Sequence, residues 1–112
     1  MSEKSASEVW RIRDRSDYLD HMSATLLYSP DRFRPKDFLQ DHQQLTFDLA
    51  YKLLVENLDK ACPPRSKCHA RHGEILEIIE ESRQFYLAGD EYNGAHRLQD
   101  AEDIIRGRKS YV

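Results

Sequence analysis

Cys62, Cys68, His69 and His72 are the residues whose types and spacing come closest to a chemical site. Thiolate and imidazole are both zinc ligands, and Cys68 and His72 stand one helical turn apart, so one helix face would present both to an ion. The spacing argues against a metal centre. Paired cysteines in structural zinc sites sit about two to four residues apart, whereas five residues separate Cys62 from Cys68, and the chain has two cysteines in all. The same residues support a redox reading. Cys68 near a helix start, flanked by Lys67 and Arg71, has an electropositive setting of the kind that lowers a thiol pKa, and Cys62 would resolve a sulfenic acid formed there. The plainer reading makes Cys62 a small buried hydrophobe, with Cys68 and His72 facing the interior at a helix start. With no apolar leader at the start of the sequence, a reducing compartment and two free thiols are expected. We therefore expect no metal and no cofactor, with Cys62, Cys68 and His72 as the candidates should either bind.

Other chemistry is sparser. His21, His42, His69, His72 and His96 are scattered singly over the chain and form no motif. Di-iron helical bundles need Glu-x-x-His twice, and that pattern does not occur. Glu77, Glu80 and Glu81 read as a solvated face, as do Asp100, Glu102 and Asp103. There is no glycine-rich phosphate loop and no nucleophile elbow. Arg11, Arg13, Arg15, Arg32 and Arg34 cluster near Trp10 and Phe33, but residues 1–35 carry six basic and six acidic groups, so no net basic face for nucleic acid is expected. The reading is of a chain that is not an enzyme.

The elements that would position these residues follow from periodicity and breakers. The expected hub is one long helix over residues 36–62. On a 3.6-residue wheel its charged positions Asp41, Asp48, Lys52, Glu56 and Asp59 fall on a narrow strip. Most of the rest is apolar, and such a helix must be covered on several sides. A first helix, capped by Ser5 or Ser7, is expected to run to about Tyr28 with Ile12, Leu19 and Leu26 inward and Tyr18 and Met22 alongside. Arg15 falls on that stripe and must snorkel, find a partner, or sit beyond the packed zone. Ser29-Pro30 and Arg34-Pro35 break the chain, leaving a short, stiff connector pinned by Phe33. Pro63-Pro64 ends the hub. A third helix, residues 67–88, would present Ile75, Ile78, Ile79, Ser82, Phe85 and Tyr86. Ala88-Gly89-Asp90 is the clearest local signal: Gly89 closes one helix and Asp90 caps the next, which runs to Gly107 with Ala95, Leu98, Ala101 and Ile105 inward. The expected fold is thus an all-α four-helix bundle with a long central hub helix and a C-terminal antiparallel hairpin. Residues 1–7 form a tail, 8–107 one domain and 108–112 a short basic tail.

At 39% apolar and 33% charged, the chain suits a folded helical protein rather than a disordered one. No stretch approaches the roughly 20 apolar residues of a membrane span, and a cytoplasmic protein is expected. The net charge of −3 hides an asymmetry: residues 75–107 carry three basic and eight acidic groups. Aromatic and aliphatic residues exceed what a core of this length needs. Trp10, Tyr28, Tyr51, Val55 and Tyr92 lie off the inward stripes, as do Val9, Leu27, Ile104, Tyr111 and Val112, and Trp, Tyr and Arg dominate interface energetics. The sequence therefore points to a small protein–protein interaction module, an adaptor, regulator or inhibitor. It is expected to be homodimeric through its first two helices, with Trp10 and Tyr28 as the self-association patch and the acidic 74–106 hairpin facing a basic partner. A cysteine/histidine redox or metal sensor is the alternative.

Overall fold

The computed structural model describes residues 4–107, so Tyr111 and Val112 lie outside the described residues. All regular structure among them is helical. The helices are α1 (Ala6–Val9), α2 (Arg15–Tyr28), α3 (Phe47–Glu56), α4 (Leu58–Ala61), α5 (His72–Leu87) and α6 (Glu91–Arg106), with 3-10 turns at Asp41–Gln43 and Lys67–Arg71. None of these helices is long and apolar enough to cross a membrane. The all-α class stands, but the four-helix layout does not map onto these elements.

The hub is shorter than its apolar pattern implies. Residues 36–46 form a folded loop rather than the first turns of a helix. Two side chains decide this. Gln44 receives the Lys36 backbone N–H on its Oε1 (2.8 Å) and donates its amide to the Lys36 and Leu39 carbonyls (2.9 Å each). Thr46 then caps α3 by accepting the Leu49 N–H, satisfying a donor that the helix leaves open. Phe38, counted as hub lining, is 82% exposed. At the other end Asn57 adopts a non-helical conformation and separates α3 from α4. The first helix is likewise divided. Ser5 and Glu8 form a reciprocal capping box over the single turn of α1, and Asp14 opens α2 by accepting the Asp17 N–H.

α3 and α4 contribute to one buried core with α2 and α5. Ala50, Tyr51, Leu53, Leu54 and Leu58 are buried against Tyr18, Leu19 and Met22 of α2 and Ile75, Ile78 and Ile79 of α5. Tyr18 donates its hydroxyl to the Leu54 carbonyl at 2.7 Å. The α5–α6 turn is made as its residues require, with Gly89 at φ +85° and Asp90 accepting the Asn93 N–H. The two helices approach each other closely. A Cβ on Gly94 would stand 2.7 Å from the Tyr86 ring, and Ser82 of α5 donates to the Gly94 carbonyl (2.7 Å). Ile104, expected on the outer face of α6, is buried beside Ile105. Arg15 sits beyond the packed zone. Its guanidinium donates to the carbonyls of Ala61 (3.2 Å) and Ile105 (3.0 Å), at the C-terminal ends of α4 and α6.

Candidate functional site

Two places in the fold gather the residues singled out by their chemistry. The first lies between α4 and α5. Cys62 and Cys68 are joined in a disulfide, with Cα atoms 5.4 Å apart, and are not the free thiols expected from the sequence. Two prolines between them bend residues 63–66 far enough to bring the Cα atoms within bridging distance. Both cysteines are buried, at 0% and 7% exposed. The histidines are engaged elsewhere. His69 Nδ1 lies 3.3 Å from the Cys62 carbonyl, and His72 Nε2 lies 3.2 Å from the Asp59 carboxylate. No three His, Cys, Asp or Glu side chains among the described residues are placed to share an ion. Cys62, Cys68 and His72 therefore do not form a ligand set in this state, because the bridge consumes both sulfurs. The bridge also removes the thiol-based support for a reducing compartment, since disulfides persist where the surroundings are oxidising.

The second place is a half-open groove of about 480 Å³ beside α2. Its floor is apolar: Trp10 from the α1 end, Ala24, Leu27 and Tyr28 from α2, Phe33 from the connector, and Leu45. Arg32, Arg34 and Lys36 complete its lining. Leu27 is 63% exposed, and Tyr28 packs its ring 6.0 Å from that of Phe33. Long-range side-chain bonds hold the walls. Trp10 donates its indole N–H to the Gln43 carbonyl (2.8 Å), and Gln43 donates its amide to the Lys4 carbonyl (2.9 Å). Gln44 fixes the segment that bears Lys36. The connector leaves α2 through a cis Ser29–Pro30 bond and is held by the Arg32 N–H donating to the Tyr28 carbonyl (2.7 Å). All charged groups in the lining are cationic. Arg32 meets Glu91 at 3.3 Å, while Arg34 and Lys36 make no ion pair among the described residues. A neighbouring depression across Trp10 differs in this respect, because it mixes Arg11 and Arg13 with Asp17 and Asp20.

The expected interface residues separate accordingly. Trp10 and Tyr28 meet in the groove. Tyr51 lies in the core at 2% exposure, with its hydroxyl 2.7 Å from Ser82 Oγ, so it is closed to a partner. The α3 wheel placed it near the polar margin, but α5 covers that margin. Val55 is 43% exposed in a shallow surface beside Arg83 and Glu80. Tyr92 is 72% exposed and sets its ring, tilted by 51°, against that of His96 at 4.5 Å between ring centroids. Neither lines the groove. Sequence reasoning set Leu27 with Trp10 and Tyr28 off the inward stripe and placed Phe33, Arg32 and Arg34 near Trp10, but it weighed that cluster against nucleic acid and did not bring in Leu45 or Lys36. The available signal was the connector itself, a stretch between two prolines carrying an aromatic and two arginines. Known protein families, curated proteins and solved structures offer no match to the chain.

Proposed function

We propose that the chain is a non-enzymatic protein-binding module whose recognition site is the groove between α2 and the 29–45 segment. The observation that supports this is a concave aromatic and aliphatic lining in which Leu27 and Tyr28 are exposed. Its lining of Trp10, Leu27, Tyr28 and Phe33 with arginine nearby has the composition that concentrates binding energy at interfaces. Pairing two copies groove to groove would gather six cations in one interface, with Glu91 as the paired carboxylate for Arg32 alone. We therefore assign the groove to a different partner rather than to a symmetric homodimer through α1 and α2.

Selection from a random peptide display library tests the reading. Peptides retained by the protein should converge on a motif, and Leu27→Asp should weaken their binding at least about tenfold, the loss of about 1.4 kcal/mol. A selection without convergence, or winners indifferent to Leu27→Asp, would overturn it. The alternative of a cysteine/histidine sensor draws on the Cys62–Cys68 bridge. Both sulfurs are inside the fold, which favours a clamp over an exchangeable switch.

A further inference from the structure

The groove's chemistry specifies its occupant more closely, granted that it binds protein. We propose that it takes an acidic segment of another protein, with a bulky apolar side chain seated over Trp10 and Phe33 and flanking carboxylates on Arg34 and Lys36. The argument is one of charge complementarity. The chain as a whole is acidic, with a net charge of −3, yet every charged side chain lining this groove is Arg or Lys.

Arg32 already serves Glu91 and the Ser29 carbonyl. Arg34 and Lys36 are exposed and keep their charge unneutralised among the described residues. A cation on a rim selects its partner by potential even where each exposed pair is weak. A wholly apolar guest would leave both charges beside it uncompensated, and a basic guest would be repelled. The acidic outer face of α5 on a second copy is a poorer candidate. Its Glu80 is engaged by Arg83 (3.2 Å) and its Glu81 by Arg97 (3.1 Å), so docking there would break existing pairs. Such a head-to-tail contact also does not close on itself unless its rotation happens to form a ring.

Trp10, the chain's single tryptophan, lines the groove and reports on it directly. The probe is a synthetic amidated peptide with Phe and Leu one helical turn apart and glutamate at the other positions. Its control carries lysine for every glutamate. The glutamate peptide should shift Trp10 emission saturably and the lysine peptide should not. Affinity should fall about tenfold in Arg34→Glu/Lys36→Glu and fall again with added salt, as expected for exposed charges. Both substitutions lie on exposed residues of the loop, and an unchanged circular dichroism spectrum would verify the fold. Equal binding of the two peptides would overturn the acidic preference while leaving a protein-binding groove. Binding of neither would overturn the proposed occupant, and the display selection above then judges the broader reading separately. Trp10 emission that depends on protein concentration alone would assign the groove to a second copy and reject the proposal.

Discussion

Single side chains carry much of this fold's specificity, and the buried hydroxyl relay shows how. Tyr51 donates to Ser82 Oγ, and Ser82 donates onward to the Gly94 carbonyl, so one chain of hydrogen bonds joins α3, α5 and α6 within the core. Burial raises the Tyr51 pKa far above its usual value, which keeps the hydroxyl neutral and able to donate. Tyr51→Phe removes one bond and leaves Ser82 a partner, so it should cost about 1 kcal/mol in urea unfolding. Ser82→Ala strands the Tyr51 hydroxyl in an apolar site and should cost more, about 2 kcal/mol. The reverse order would mean that the relay is not what joins the helices there. His21 makes a second test. Its Nε2 donates to the Ala50 carbonyl at 2.9 Å, and burial pushes its pKa below 6.5. The unfolded chain therefore binds its proton more readily. Stability from this group is fully present above about pH 6.5 and is lost as pH falls below that value toward the lowered folded pKa. The free energy of unfolding should drop less between neutral pH and pH 5.5 in His21→Gln than in the native chain.

At the scale of elements, the ends of helices are what the tertiary structure ties together. Arg15, in the first turn of α2, donates to carbonyls at the C-terminal ends of α4 and α6. A cation there complements both helix dipoles and satisfies carbonyls that no intrahelical N–H can reach. Arg15→Ala should lower stability by about 1–2 kcal/mol. Arg15→Lys should recover part of that, since an ammonium cannot span two acceptors as a guanidinium fork does. The Cys62–Cys68 bridge ties α4 to the turn before α5, closing a loop with a sequence separation of 6. Loop-closure entropy for so short a loop is worth about 2 kcal/mol. Non-reducing mass analysis after alkylation should find no free thiol in the folded protein. Replacing both cysteines by alanine should lower the urea midpoint by a corresponding amount without unfolding the chain. Modification of both cysteines by alkylating reagent in the native state would show that they are unbridged.

Taken whole, the molecule is a slab of 49 × 34 × 18 Å. Helices are about 10 Å across, so the slab is roughly two helices thick, and each helix keeps an outward side. Burial is uneven across it. α5 and α6 contribute Ile75, Ile78, Ile79, Tyr86, Leu98, Ala101, Ile104 and Ile105 to the core. Between Pro30 and Leu49 no residue is buried. Local opening follows such differences. Hydrogen exchange should therefore be slowest along α5 and α6 and fastest through 30–46, and it should slow in that segment when an acidic peptide fills the groove. Uniform protection along the chain would contradict this picture.

The sequence by itself determined the features that one helix or one turn can decide. The stripe of Ile75, Ile78, Ile79, Ser82 and Tyr86 (with Phe85 of the same expected face left half-buried), the Gly89–Asp90 turn, the stop at Gly107 and the break after Tyr28 all rest on local conformational preference and period. They stand in the structure where the residues place them. The start of α3 was also within reach, because Thr46 followed by Asp48 is an N-terminal signal. The apolar pattern running through Phe38, Leu39 and Leu45 masked it. Only the tertiary structure decided the fate of residues 36–46, the pairing of Cys62 with Cys68, the burial of Tyr51 and Ile104, and the meeting of Trp10 with Phe33. The physical reason is common to these. A helical wheel records which side chains share a face, but whether that face is covered, and whether Gln44 captures the backbone of Lys36 before a helix does, depends on groups that sequence distance separates and packing brings together.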